Sequence, residues 1–305
     1  MMQHPTPRIA FAIPYYEGLD YLSATLEKLR WQTIDDWEAI VVDDAGPEPA
    51  AELVALLEDP RIRYVRNEQN LGLAGNWNAA IAATSAPYVT ILHADDELLP
   101  EYAATMVDLL DRHPAALAGH CRVELIDEDG RPTRTLADSV KKIIRPRGSS
   151  EIVTMGDEGL ASLLRGFWIF CPTLCFRRRL FEEVEPFDGR WRFVVDFSFL
   201  ANCLFHGHLL VGTHLVGYRY RRHSTNQTAI LTAQMTRFEE ELQLYAEIAR
   251  RADQAQWRHS ARVARRARIV RAHLVVAAIK SLARGDFRRA KKSLILALRS
   301  LVSIR

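Results

Sequence analysis

Apolar and polar positions sort the first part of the chain into two kinds of segment. Residues 8–13, 37–42 and 88–92 are apolar at nearly every position, which predicts short strands buried on both faces. Residues 61–66 and 116–126 read as further strands. Between the first two, Leu19, Leu22, Leu26 and Leu29 recur every three or four residues with Ser23, Glu27 and Lys28 on the other faces, the mark of an amphipathic helix. Helices are also predicted over 49–58, 74–84 and 98–112. Strands alternating with helices at this spacing imply parallel βαβ units with right-handed crossovers, so the strand C-terminal ends share one side of a sheet.

Each strand discharges into polar residues. Pro14-Tyr15-Tyr16, Asp43-Asp44, Asn70-Leu71-Gly72 and His93-Ala94-Asp95-Asp96-Glu97 all stand just past strand ends, where open α/β sheets bind ligands. Three crowded carboxylates at 95–97 repel one another unless a cation or solvent screens them, and carboxylates beside a His suit a hard divalent ion holding phosphate oxygens. The competing reading is a solvated acidic loop capping the helix expected from Leu98. Convergence of four polar clusters on one crevice favours the metal and phosphate. No Gly-x-Gly-x-x-Gly or Walker loop follows the first strand, so side chains and metal would hold a nucleotide.

Composition changes this picture in two respects. A 305-residue chain that is 48% hydrophobic can bury a large core, enough for one α/β domain with an appendage. Net charge +2 conceals a split: from Ala255 onward fourteen Lys and Arg face a single acid, Asp286, so a tail near +13 follows a body near −11. Residues 1–8 lack the apolar run of a secretory signal and no later run has the length of a membrane span, so the expected location is cytoplasmic. Cys121, Cys171, Cys175 and Cys203 lack zinc-type spacing; Cys171 and Cys175 read as small buried residues, and reduced thiols are expected.

The later chain is less regular. Residues 127–151 are rich in charge, Gly and Pro, a surface excursion opening on the turn Asp-Glu-Asp-Gly. A helix and loop over 156–170, a strand over 171–176 and a helix over 178–184 follow. Asp196 is the one carboxylate in an apolar stretch from Arg190 to His206, where an isolated charge is expensive without a task; the alternative is an N-cap for a helix over 197–205. Residues 209–220 read as a strand ending in a basic loop that holds Arg221 and His223. From Leu231 onward only helices are predicted, and a basic amphipathic one with Leu294, Leu298 and Leu301 aligned closes the chain. The tail is either a packed helical extension with basic outer faces or an attachment to anionic membrane at the inner face; it has few aromatics to stack nucleic-acid bases, and a homodimer through it is compatible with the pattern.

The order Ile-Pro-Tyr-Tyr, Glu-Ala-Ile-Val-Val-Asp-Asp, Asn-Leu-Gly-Leu-Ala-Gly-Asn-Trp-Asn and Leu-His-Ala-Asp-Asp-Glu strongly resembles the inverting glycosyltransferases of family 2, over roughly residues 8–226. The resemblance implies a GT-A fold, a Rossmann-like mostly parallel sheet flanked by helices, over 1–228, with 229–305 as a basic helical extension. It implies transfer of a sugar from a nucleotide-diphosphate donor, UDP-linked for preference, to a hydroxyl of a glycan or lipid-linked acceptor, with Mn²⁺ or Mg²⁺. By the same resemblance Pro14, Tyr15, Glu17 and Asp44 line the base and ribose site, and Asn78 and Asp95 contact the nucleotide sugar. Asp96 coordinates metal directly, and Asp196 is the catalytic base. Arg221 and His223 are candidates for phosphate or metal contact, with a plain basic loop as the alternative. The family's fullest metal motif is Asp-x-Asp-Asp; His93 replaces its first position and is read as a secondary polar residue. The alternative from another class is a catalytically silent nucleotide-sugar fold serving as a scaffold or membrane-binding protein.

Overall fold

The computed structural model of the chain describes residues 6–133, 145–146, 150–223 and 226–303. Its centre is a nine-stranded sheet. Strands β1 (Ile9–Tyr15), β2 (Trp37–Asp43), β3 (Ile62–Arg66) and β4 (Tyr88–Ile91) run parallel in the order β3-β2-β1-β4. Past β4 the sheet is mixed. There β8 (Leu174–Arg177) lies antiparallel between β4 and β6 (Ala116–Ile126), and β9 (Leu209–Arg221) runs parallel to β6. Two short strands, β5 (Glu97–Leu98) and β7 (Glu151–Thr154), pair with different stretches of β9.

The period of two in the apolar strands divides the core between the sheet's faces. Ile9, Phe11, Ile13 and Tyr15 of β1 pack with Leu22, Leu26 and Leu29 of α1 (Leu19–Leu29) and with Met106 and Leu110 of α4 (Tyr102–Arg112). Ala10 and Ala12 face the other way, sharing a cluster with Trp77 of α3 (Gly72–Ala82). The same cluster holds Leu160 of α5 (Gly156–Leu164), Leu180 of α6 (Leu180–Glu183) and Phe199 of α7 (Val195–Phe205). The crossover after β2 is made by the short α2 (Ala51–Leu56).

Five C-terminal helices follow: α8 (Gln227–Ala233), α9 (Thr236–Gln254), α10 (Arg258–Arg266), α11 (Arg268–Ala283) and α12 (Phe287–Ser303). Phe238, Tyr245, Ile248, Ala264 and Leu274 belong to the same apolar cluster as Trp77. Asp157 of α5 accepts the backbone N–H groups of His259 and Ser260 at 2.8 and 2.6 Å, capping the start of α10.

Two local expectations need correction. The helix expected from Leu98 begins at Tyr102, because Glu97 and Leu98 pair with Arg219 and Tyr218 of β9. Residues Cys171–Thr173 form a 3₁₀ turn before β8 rather than extending it, with Pro172 supplying no N–H to a ladder. The acidic turn is present: Asp127 Oδ1 accepts the N–H groups of Asp129 and Arg131, and Gly130 takes φ +80°. The rest of the expected excursion over 134–144 and 147–149, like Ser224 and Thr225 of the basic loop, lies outside the described residues. All four cysteines are buried and free.

The loop after β2 presses on the loop after β1. A Cβ on Gly46 would lie 1.7 Å from the Tyr16 carbonyl oxygen, a contact that only backbone movement relieves. Gly46→Ala is therefore expected to lower stability by about 1–3 kcal/mol, the usual cost of overpacking, read as a fall in urea midpoint; an unchanged midpoint would show that these loops are loose.

Candidate functional site

The polar ends of the parallel strands meet, and much of their hydrogen-bonding capacity is directed inward. Asp43 is fully buried and accepts from Gly46 N–H at 2.8 Å, the Tyr64 hydroxyl at 2.6 Å and Arg66 Nη1 at 2.5 Å. Asp44 accepts from Asn67 Nδ2 and Leu71 N–H at 2.9 and 2.8 Å and from Gly72 N–H at 3.0 Å. Those bonds use three of roughly four acceptor positions on that carboxylate. The start of α3 is thus capped from the end of β2, with Asn70 Oδ1 adding a second bond to Gly72.

Asn76 was missed in the sequence. Buried on α3, it donates to the Val42 and Tyr15 carbonyls at 3.1 and 3.4 Å and accepts from Asn67 at 3.0 Å, tying the ends of β1 and β2 to Asp44's partner. The signal was a polar residue one turn before Ala80 on the buried stripe. Asn78, expected at the nucleotide sugar, holds the backbone of Phe187 in both directions, at 2.9 and 3.0 Å. Its amide fixes the 186–191 loop against α3.

Tyr15 is also turned inward. Its hydroxyl donates to the Glu48 carbonyl at 2.8 Å, and burial, reinforced by Glu48, pushes it up to about 12. Pro14 is half-buried, whereas Tyr16 and Glu17 stand exposed at the crevice mouth.

The acidic cluster lies past β4. Donor atoms of His93, Asp95 and Asp96 all fall within 4.8 Å of one another. Asp96 is fully buried, and its two oxygens accept from Arg221 N–H at 2.7 Å and the Tyr218 hydroxyl at 3.0 Å. Burial, then the charge of Asp95, holds its carboxyl well above the usual range. Asp95 moves the opposite way: burial opposes ionisation, but the hydrogen bond from His223 at 2.9 Å and the two imidazoles draw it down. His93, taken as secondary in the sequence, belongs to this group, and its Nε2 is buried without a hydrogen-bond partner. Its ring lies 5.6 Å from that of Trp77.

His223 stands beside the cluster, bonded to Asp95 and stacked on Tyr21 with ring centroids 5.1 Å apart. Arg221 is buried within the fold. Its guanidinium donates to Glu97 Oε1 at 2.6 Å, to the Asp95 carbonyl at 2.9 Å and to the carbonyls of Asp127 and Glu128 at 3.2 and 3.1 Å. It ties the acidic loop to the 127–130 turn.

Asp196 lies in the first turn of α7, whose N-cap is Val194, so it does not cap the helix as the alternative supposed. Its Oδ1 accepts the Phe197 N–H at 2.8 Å, at the positive end of the helix dipole. Glu240 of α9 holds the segment that enters α7, accepting from the Arg192, Phe193 and Val194 N–H groups, the shortest at 2.7 Å. Cys171 links Asp196 to the acidic cluster. Burial, the Asp196 charge and hydrogen bond, and the Asp96 charge all push its thiol up.

The donor set fits a divalent cation. Two carboxylates with an imidazole suit Mn²⁺ or Mg²⁺, a cation would relieve the opposition between Asp95 and Asp96, and His93 Nδ1 lies 3.5 Å from Asp96 Oδ2. Chemically, the arrangement offers a metal-type cluster and a further carboxylate, Asp196, reached through the Cys171 thiol.

Comparison with known proteins gives a consistent result. Residues 10–184 match the model of glycosyl transferase family 2. The succinoglycan biosynthesis protein ExoO of Rhizobium meliloti is 26% identical over 219 residues, 70% of this chain and 60% of that protein. An uncharacterized glycosyltransferase of Nostoc is 25% identical over 227 residues, 72% of this chain and 66% of its own length. The chain thus spans just under two thirds of these curated relatives. Among solved structures, S. aureus TarS in complex with UDP-GlcNAc superposes with a TM-score of 0.61 at 14% identity, covering 94% of this chain and 90% of that one. A likeness at that identity is one of fold.

Proposed function

The chain belongs to glycosyl transferase family 2, and from that premise we propose that it transfers a sugar, with inversion, from a UDP-linked donor to an acceptor hydroxyl in the synthesis of a cell-surface glycan. One observation carries the reading: His93, Asp95 and Asp96 meet at the strand ends while Asp96 and Asp196 both act on the Cys171 thiol. A fold neighbour in complex with UDP-GlcNAc and a relative named for succinoglycan biosynthesis support the donor and product classes.

In this reading Asp196 takes the proton of the acceptor hydroxyl as its oxygen attacks the anomeric carbon. The bond from that carbon to the diphosphate oxygen breaks on the opposite face, and the nucleoside diphosphate leaves with the electron pair. Asp95 and Asp96, with His93, would hold Mn²⁺ or Mg²⁺, which supplies charge neutralisation for the leaving diphosphate. The nucleotide would enter between the exposed Tyr16 and Glu17 and the capped start of α3. Asp43, Asp44, Asn76 and Asn78 would keep that floor rigid. We assign residues 1–228 to the transferase body and 229–305 to its basic helical extension.

The test is a calorimetric and thermal-shift panel of UDP, GDP, CDP and dTDP, each with and without Mn²⁺. UDP binding that strengthens at least tenfold with Mn²⁺ is expected. A lack of metal-linked binding to any of the four would favour the catalytically silent scaffold.

A further inference from the structure

Exposed apolar side chains are concentrated at the end of the chain. Of the eighteen large ones exposed among the described residues, eight lie between Val275 and Leu298, on α11 and α12. They follow helical spacing. Val275, Ile279 and Leu282 are three and four residues apart on α11, and Phe287, Leu294 and Leu298 form a second stripe on α12. Neither stripe is the one that packs inward, since α11 buries Val270, Leu274, Ala278 and Ser281 and α12 buries Ala290, Ser293 and Ser300. Phe287 is 71% exposed and Leu298 64%, values that cost free energy in water without a covering surface.

The flanks of these stripes are basic. Lys280 and Arg284 border the apolar arc of α11, while Arg288, Lys291 and Arg299 border that of α12, and Asp286 in the connecting turn is the one acid in the segment. No helix among the described residues is long and apolar enough to cross a membrane. An apolar stripe with Lys and Arg on its shoulders is the composition of a helix that lies in the headgroup region of a bilayer.

We propose that the outward face of the α11–α12 hairpin docks on an anionic lipid surface, with Val275, Ile279, Leu282, Phe287, Leu294 and Leu298 entering the headgroup boundary and the flanking Lys and Arg meeting lipid phosphates. Charge complementarity selects this occupant over a second copy of the chain, whose matching face would carry the same positive charge. The inference stands apart from the transferase reading and can succeed or fail without it.

The experiment is flotation of the full chain with vesicles of phosphatidylcholine alone or mixed with phosphatidylglycerol, and sedimentation velocity without lipid. Flotation is expected with the anionic vesicles and weakly with neutral ones, falling several-fold in 0.5 M salt. Phe287→Ser with Leu298→Ser is expected to reduce it at least tenfold, and Arg288→Glu with Lys291→Glu comparably; all four positions are exposed, and the circular dichroism melt checks the fold. Three results would overturn the proposal. One is no flotation on anionic vesicles. Another is flotation that the serine pair leaves intact while the glutamate pair abolishes it, the behaviour of a polyanion site. The third is a lipid-free dimer that the serine pair dissociates.

Discussion

Asp196→Asn is expected to lower kcat by about two to four orders of magnitude, the range for loss of a general base, while leaving UDP binding within twofold. The substitution preserves shape and an acceptor oxygen for the Phe197 N–H at 2.8 Å, so α7 keeps its first turn. What disappears is the carboxylate that the proposed mechanism uses as its base. Single-turnover transfer and calorimetry on the same preparation separate the two effects. Turnover near that of the wild type would remove Asp196 from the chemistry; loss of UDP binding as well would show that the side chain shapes the crevice.

Asp95→Ala and Asp96→Ala are expected to abolish the Mn²⁺-linked part of UDP binding alike, yet to differ in stability. The Asp95 side chain is 29% exposed and bonded to His223, so its removal leaves a partner that water can reach. Asp96 is fully buried, and its removal strands the Arg221 N–H and the Tyr218 hydroxyl in the interior. Each orphaned donor costs about 1–3 kcal/mol, which makes the Asp96 variant several kcal/mol less stable and the Asp95 variant nearly unchanged. Urea denaturation without metal reads that difference. Equal stabilities would contradict the hydrogen bonds described for Asp96, and retained metal-linked binding in both variants would place the cation elsewhere.

The sequence made legible what depends on neighbours close along the chain. Alternation in Ile9, Ala10, Phe11 and Ala12 marks a strand buried on both sides, and alternation of strands with helices brings Asp43, Asp95 and Asn70 to one edge. Partnerships across the fold were hidden. Asn78 and Phe187 stand 109 residues apart, and Arg221 and Glu97 stand 124 apart, so no local pattern says that these polar groups turn inward. The short β5 escaped for the same reason: two residues become a strand only because β9 lies beside them. His93 is the converse case. A departure from the fullest motif suggested a bystander, whereas its position beside Asp96 gives it donor chemistry suited to the same ion.

Charge divides this chain near residue 255, and composition invites the view that everything after the sheet is detachable. Glu240 argues otherwise. A carboxylate from the extension accepts the N–H groups of Phe193 and Val194, which lead into the helix that carries Asp196, and Tyr245 donates to the Leu164 carbonyl at 2.8 Å. Trimming the protein at 228 would not liberate a minimal enzyme. It would leave those N–H groups without their acceptor at the entry to the helix that carries Asp196, so the extension has two separate duties: an inner lining that seats α7 and an outer face turned to solvent.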